Sequence, residues 1–138
     1  MNEELRYYGF CNYYLSQLQC GLQNIHVVSE MSQYPTDDYT IWSHNYKTVI
    51  LLNGGNQKSL EDLLAFFECD EEIFKCLDGL DNKFKFESFR EDTDSLNGCL
   101  TAVGIILPKR VYDYNPETDM LEGFELELAI KLKTYRLI

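Results

Sequence analysis

The chain is short of positive charge. Twelve lysines and arginines stand against 23 aspartates and glutamates, a formal charge of −11. A nucleic-acid backbone is repelled by such a surface unless the basic groups gather in one place. They gather only in part. Lys83, Lys85 and Arg90 are interrupted by Glu87, Glu91 and Asp92; Lys109 and Arg110 are followed by Asp113; Lys131, Lys133 and Arg136 follow Glu125 and Glu127. No lysine occurs between Met1 and Lys47. Histidine is scarce at two residues, and none of the five cysteines (Cys11, Cys20, Cys69, Cys76, Cys99) forms a C-x-x-C pair. A zinc knuckle and a dithiol redox motif are therefore unwritten, and no metal is expected. The apolar runs Val49–Leu52 and Ile105–Leu107 are too short to span a bilayer, so no membrane partner is expected. The first residues are polar and charged and do not read as a signal peptide; with the odd cysteine count they suggest a reducing cytoplasm. Neither a Walker lysine motif nor G-x-G-x-x-G is present, and Asn53-Gly54-Gly55-Asn56 reads as a plain turn.

What remains is an ordinary globular composition, 45% hydrophobic over 138 residues, enough for one domain with a real core. Tyr13–Leu18 alternates and predicts a strand, with Leu5–Cys11 either pairing with it or lying in an N-terminal arm over residues 1–12. Leu22–Gln33 carries Leu22, Ile25, Val28 and Met31 at helical spacing, and Pro35 ends it. Thr36 and Asp37 offer the cap of a short helix through Trp42 to about His44. Lys47–Leu52 is a β-branched apolar run of the kind covered on both faces of a sheet. Ser59 with Asp62 suggests a cap opening a helix over Leu60–Phe67, and the acidic stretch beyond it offers a further turn or two over Glu71–Leu77. Lys83–Phe89 alternates as a half-exposed strand, Glu91–Gly98 reads as a polar loop, and Leu100–Leu107 as a buried strand stopped by Pro108. Residues 109–119 read as a loop insertion. Asp119 with Glu122 then caps a helix to about Leu132, ahead of an extended tail. The fold class expected is α/β: one domain, a small mixed four-stranded sheet, helices on both faces.

This order of elements, with three short matches, resembles the type II peptidyl-tRNA hydrolases. The first helix carries Gln-x-x-His as Gln23 and His26. Trp42 precedes the Lys-led strand KTVILL. The last long strand reads NGCLTAVGIILP, with Gly98, Thr101, Gly104, Ile105 and Pro108 in the family's positions. The likeness runs from about Tyr13 to Ile138. It implies metal-free hydrolysis of the ester between a peptide and the terminal ribose of a tRNA, without a cofactor. The implied catalytic groups are a lysine at the start of the first helix, the glutamine after it, and an acid and a hydroxyl in the loop before the last strand. Gln23 matches the glutamine. Glu91 or Asp92 matches the acid, and Thr93 or Ser95 the hydroxyl. Gln19 occupies the lysine's position, a departure from the pattern. The compact, aromatic-rich chain also resembles accessory proteins of large tailed phages.

Ester hydrolysis needs an aimed water and a donor for the oxyanion that develops. Asp92 is of the right type for a base, and Gln23 for an amide donor. Helical spacing puts Gln23, His26 and Glu30 on one face, either as a polar patch lining a cleft, with Thr101 as a further binding residue, or with His26 as a buried structural histidine. Two readings follow. In one, the hydrolase fold has lost efficient catalysis and binds or regulates a protein partner. In the other, a working peptidyl-tRNA hydrolase tolerates Gln19, with tRNA disfavoured by charge. A third makes the chain an acidic decoy for a nucleic-acid-binding protein.

Overall fold

The computed structural model describes residues 3–78 (backbone alone from 69 to 78), 84–91 and 98–138. In chain order the elements are strand β1 (Leu5–Cys11), helix α1 (Gln17–Gln33), helix α2 (Asp37–Ile41) running into a π turn (Trp42–Tyr46), β2 (Val49–Asn53), α3 (Gln57–Asp78), β3 (Phe86–Arg90), β4 (Leu100–Pro108), the short helix α4 (Lys109–Tyr112), α5 (Gly123–Leu132) and β5 (Arg136–Leu137). The strands form one mixed sheet in the order β3-β4-β1-β2-β5. β1 runs parallel to β2 and antiparallel to β4, and β5 closes the far edge antiparallel to β2. The α/β class, the mixed sheet and helices on both faces are as expected. The sheet has five strands rather than four, because the extended tail joins it.

Strand alternation divides the core. Tyr8, Phe10, Leu52, Val103, Ile105 and Leu107 face α3 and α5, where they meet Leu60, Leu63, Phe67, Leu128 and Leu132. Leu5, Tyr7, Ala102 and Ile106 face the other way, toward Val27 and Met31 of α1 and Trp42 of the π turn. Each fully buried Val, Leu, Ile, Phe or Met among them contributes about 1.5–3 kcal/mol.

Several expectations are corrected. Leu5–Cys11 is neither an arm nor a partner of the next segment; it is the central strand, with Tyr7, Tyr8 and Phe10 fully buried. Tyr13–Leu18 is not a strand. It is a turn followed by the first residues of α1, because Ser16 accepts from the Gln19 N–H while the Gln19 side chain accepts from the Ser16 N–H, a reciprocal cap. Asn56, not Ser59, caps α3, through its Oδ1 to the Ser59 N–H at 2.9 Å, and the helix runs on through the acidic stretch to Asp78. Residues 109–119 include the single-turn helix α4. Asp119 does not cap α5: it binds the Asn115 N–H, and α5 opens at Gly123. β2 is not covered on both faces, since only Leu52 of it is fully buried. The expected strand start at Lys83 lies outside the described residues.

One contact sets how α1 meets the sheet. Gly9 and Gly104 sit opposite each other on β1 and β4. A Cβ on Gly104 would overlap the Tyr7 phenol, and one on Gly9 the Asn24 carboxamide. In the gap these glycines leave, Tyr7 Oη donates to Asn24 Oδ1 at 2.6 Å. Asn24 Nδ2 donates in turn to Cys20 O at 2.8 Å and to Cys11 Sγ at 3.0 Å. Burial, and then Cys11, hold the Tyr7 phenol well above its usual pKa, so it stays a neutral donor.

Gly104→Ala is expected to lower the unfolding free energy by about 2–3 kcal/mol by overpacking. Tyr7→Phe, which orphans the buried Asn24 oxygen, should cost about 1–3 kcal/mol. Urea unfolding of both variants checks this. The linkage has a definite sign. A phenol held protonated in the folded state but free to ionise near its usual ~10 when unfolded loses stability as pH rises past that value. The alkaline fall in stability should therefore be shallower in Tyr7→Phe, and an equal fall in both proteins would refute the assignment.

Candidate functional site

The parallel strands β1 and β2 both end at the edge where α1 and α3 begin, the edge at which open α/β sheets commonly take ligands. β3 also ends there, and β4 starts there. Asn12, just past β1, is 2% exposed; its N–H donates to Thr101 O at 3.0 Å and its Nδ2 to Leu100 O at 3.4 Å. Its Oδ1 is buried with no donor among the described residues. The Glu91 N–H donates to Cys99 O, so the acid at the end of β3 is held beside the start of β4.

α1 brings its polar row to the same place. The Thr101 hydroxyl lies 3.1 Å from Gln23 Oε1 and 3.3 Å from Phe89 O. With the hydroxyl donating to Oε1, the Gln23 amide nitrogen has no acceptor among the described residues. His26 lies flat on Phe89, 4.3 Å between ring centres at 15°. It is exposed rather than a buried core histidine; the buried polar residue of α1 is Asn24. Glu30 continues the row one turn further and is exposed. Gln23, His26 and Thr101 are thus brought together, while Gln19 is not available to them, since its side chain is folded back onto the Ser16 N–H. Asp92, Thr93 and Ser95 lie outside the described residues.

Besides Asn12, three residues that the sequence did not point to join this edge. Cys99 Sγ lies 2.8 Å from Gln57 Oε1 and 3.7 Å from the Tyr14 hydroxyl. The hydrogen bond with Cys99, then slight burial and the charges of Cys99 and Glu91, raise the Tyr14 phenol. Reading Leu5–Cys11 as a strand would have placed Tyr14 in the turn at its carboxyl end, and with it Asn12; for Cys99 and Gln57 the sequence carries no signal beyond position. The nearby cation, Arg90, is paired with Glu61 of α3 and approaches Gly98 O at 3.5 Å. Among the described residues the edge offers amide and hydroxyl donors, the Glu91 carboxyl group and a thiol.

The Asn53–Asn56 turn behaves as a turn. The Gly54 N–H is spent on Cys11 O and the Gly55 N–H on Asn53 Oδ1, so neither glycine N–H is open to a phosphate. It borders a separate polar depression of about 450 Å³ that also takes in Ser59, Lys131 and Arg136 and contains none of the expected site residues. No group of three or more His, Cys, Asp or Glu among the described residues is arranged to hold a metal. Among them too, no helix is long and apolar enough to cross a membrane.

Replacing Cys99 with Ala removes the bond that raises Tyr14. The Tyr14 phenol is then expected to titrate at lower pH, followed through its ring resonances across the alkaline range; an unmoved midpoint would contradict the contact. No protein-family model matches the chain, and no curated protein sequence matches it.

Proposed function

We propose that this chain is a diverged relative of the type II peptidyl-tRNA hydrolases that has given up efficient ester hydrolysis and acts by binding a protein partner. The observation that carries the reading is Gln19. The residue at the expected lysine position is neutral, and its side chain is committed to the helix cap. A lysine there would set a positive charge against both the oxyanion and the substrate phosphates. The neighbouring cation, Arg90, is already paired with Glu61. Loss of one oxyanion donor costs about 100–1000-fold in rate. The chain's −11 charge further weakens capture of a polyanion. The kinship is supported by the order of elements and by Gln23 and Thr101 meeting at the start of β4. The same charge that disfavours tRNA favours a partner with a basic face.

One observation favours the alternative, an active peptidyl-tRNA or related acyl-tRNA ester hydrolase. Thr101 donates to the oxygen of Gln23, whose amide nitrogen has no acceptor among the described residues, and the Glu91 backbone is held at the same edge. The acidic-decoy reading rests on net charge alone.

Release of acetylated amino acid from acetylaminoacyl-tRNA separates the two. The unmodified protein is expected to show no release above the uncatalysed background. Gln19→Lys should raise it, even though breaking the cap costs about 0.5–1 kcal/mol of stability. Robust release by the unmodified chain, lost in Gln23→Ala, would overturn the proposal in favour of the hydrolase.

A further inference from the structure

We propose that the chain pairs with a second copy of itself across the outer face of α1 and the open side of β2. This pairing is independent of the reading of the polar edge.

α1 packs over β3 and β4 and makes little contact with β2, whose open side is bordered by Trp42. Val49 and Leu51 pair with Tyr7 and Gly9 in the parallel register, so they share the face that α1 covers elsewhere. Val49 is 49% exposed there. Between α1 and β2 lies a hollow of about 260 Å³ whose walls include Gly21, Ile25, Val28, Trp42, Val49 and Leu51. It has almost no polar wall. A second depression continues across β2 to Ile138.

The helix itself has more apolar surface than one chain uses. Cys20, Asn24, Val27 and Met31 form its buried stripe. Leu18, Gly21, Leu22 and Ile25 form another at spacings of three, four and seven, the pattern of a packed helix face. Yet Leu18 is 74%, Leu22 48% and Ile25 63% exposed. Gln19, Gln23, His26 and Glu30 occupy the third side, so a partner on the apolar stripe leaves the polar edge open.

Gly21 adds an independent point. A mid-helix glycine costs roughly 0.5–1 kcal/mol relative to alanine. Here a Cβ would meet nothing within 4 Å, so packing within the chain gives no reason for its absence. A second helix crossing closely at this position does give one.

Charge selects the occupant. In a chain that is 25% charged, no Asp, Glu, Lys or Arg occurs from Tyr7 to Ser29 or from Thr48 to Gln57. Those two segments, with Trp42, line the hollow. A basic partner would be met by carboxylates, which lie elsewhere. A copy that itself carries −11 can approach only where charge is absent. Two α1 helices crossing at Gly21 about a two-fold axis would insert Leu18 and Ile25 of each copy into the hollow of the other, an isologous contact that closes on itself.

Sedimentation or light scattering of the full chain across a concentration series tests this. A dimer is expected. Leu18→Glu and Ile25→Lys alter exposed side chains and should leave the fold intact by circular dichroism. Each should weaken dimerisation at least about 30-fold, as loss of a central contact does. A monomer up to about 100 μM, or a dimer indifferent to both changes, overturns the proposal. The crossing point has its own readout. Gly21→Leu, whose Cβ meets nothing in its own chain, should abolish the dimer, and Gln33→Leu, outside the apolar stripe, should not. A dimer indifferent to Gly21→Leu, or weakened equally by both changes, refutes the two-fold crossing at Gly21.

Discussion

The arrangement of α1 depends on a hydrogen bond made inside a gap in the sheet. Tyr7 rises from the central strand, lies across Gly104 and meets Asn24 of α1 above Gly9. A phenol and a carboxamide in this dry space are costly unless paired, and each is the other's partner. Asn24 also satisfies Cys20 O and reaches Cys11 Sγ, tying the end of β1 to the first turns of the helix. The sheet therefore lacks two side chains where it could have had them, and the helix is locked at that place.

Both surfaces discussed above follow from that lock. Seated over β3 and β4, α1 brings Gln23 to Thr101 and His26 to Phe89, completing a polar edge where β1 ends. The same seating makes little contact with β2 and exposes the stripe from Leu18 to Ile25. One helix thus uses one side for its own core, one for a row of polar groups, and one for an apolar face that the described residues leave largely exposed.

Much of this architecture was legible in the sequence. The helical spacing over Leu22–Gln33, the buried run before Pro108, the short helix before Trp42 and the terminal helix with its extended tail all follow from periodicity and breakers. The first strand was not legible, for a specific reason. Leu5–Cys11 holds an arginine, a glycine and two tyrosines, and nothing local announces that both phenol rings are fully buried. Tyr13–Leu18 alternates well enough to look like a strand, although Ser16 and Gln19 already spell the reciprocal cap that starts α1. β2 looked doubly covered because an apolar run does not reveal whether a helix lies over each of its faces. At the candidate site, the helical row of Gln23, His26 and Glu30 was readable from spacing. The contributions of Tyr14, Cys99 and Gln57 were not, because they depend on strands distant in sequence meeting at one edge.

The central claim is that the Tyr7–Asn24 bond fixes α1 as a unit. Native-state hydrogen exchange of Asn24→Ala tests it most directly. The account predicts that amide protection falls selectively along α1 while the amides of β4 and the first turns of α3 keep theirs. Unchanged protection of α1, or an even loss across the whole molecule, would contradict it.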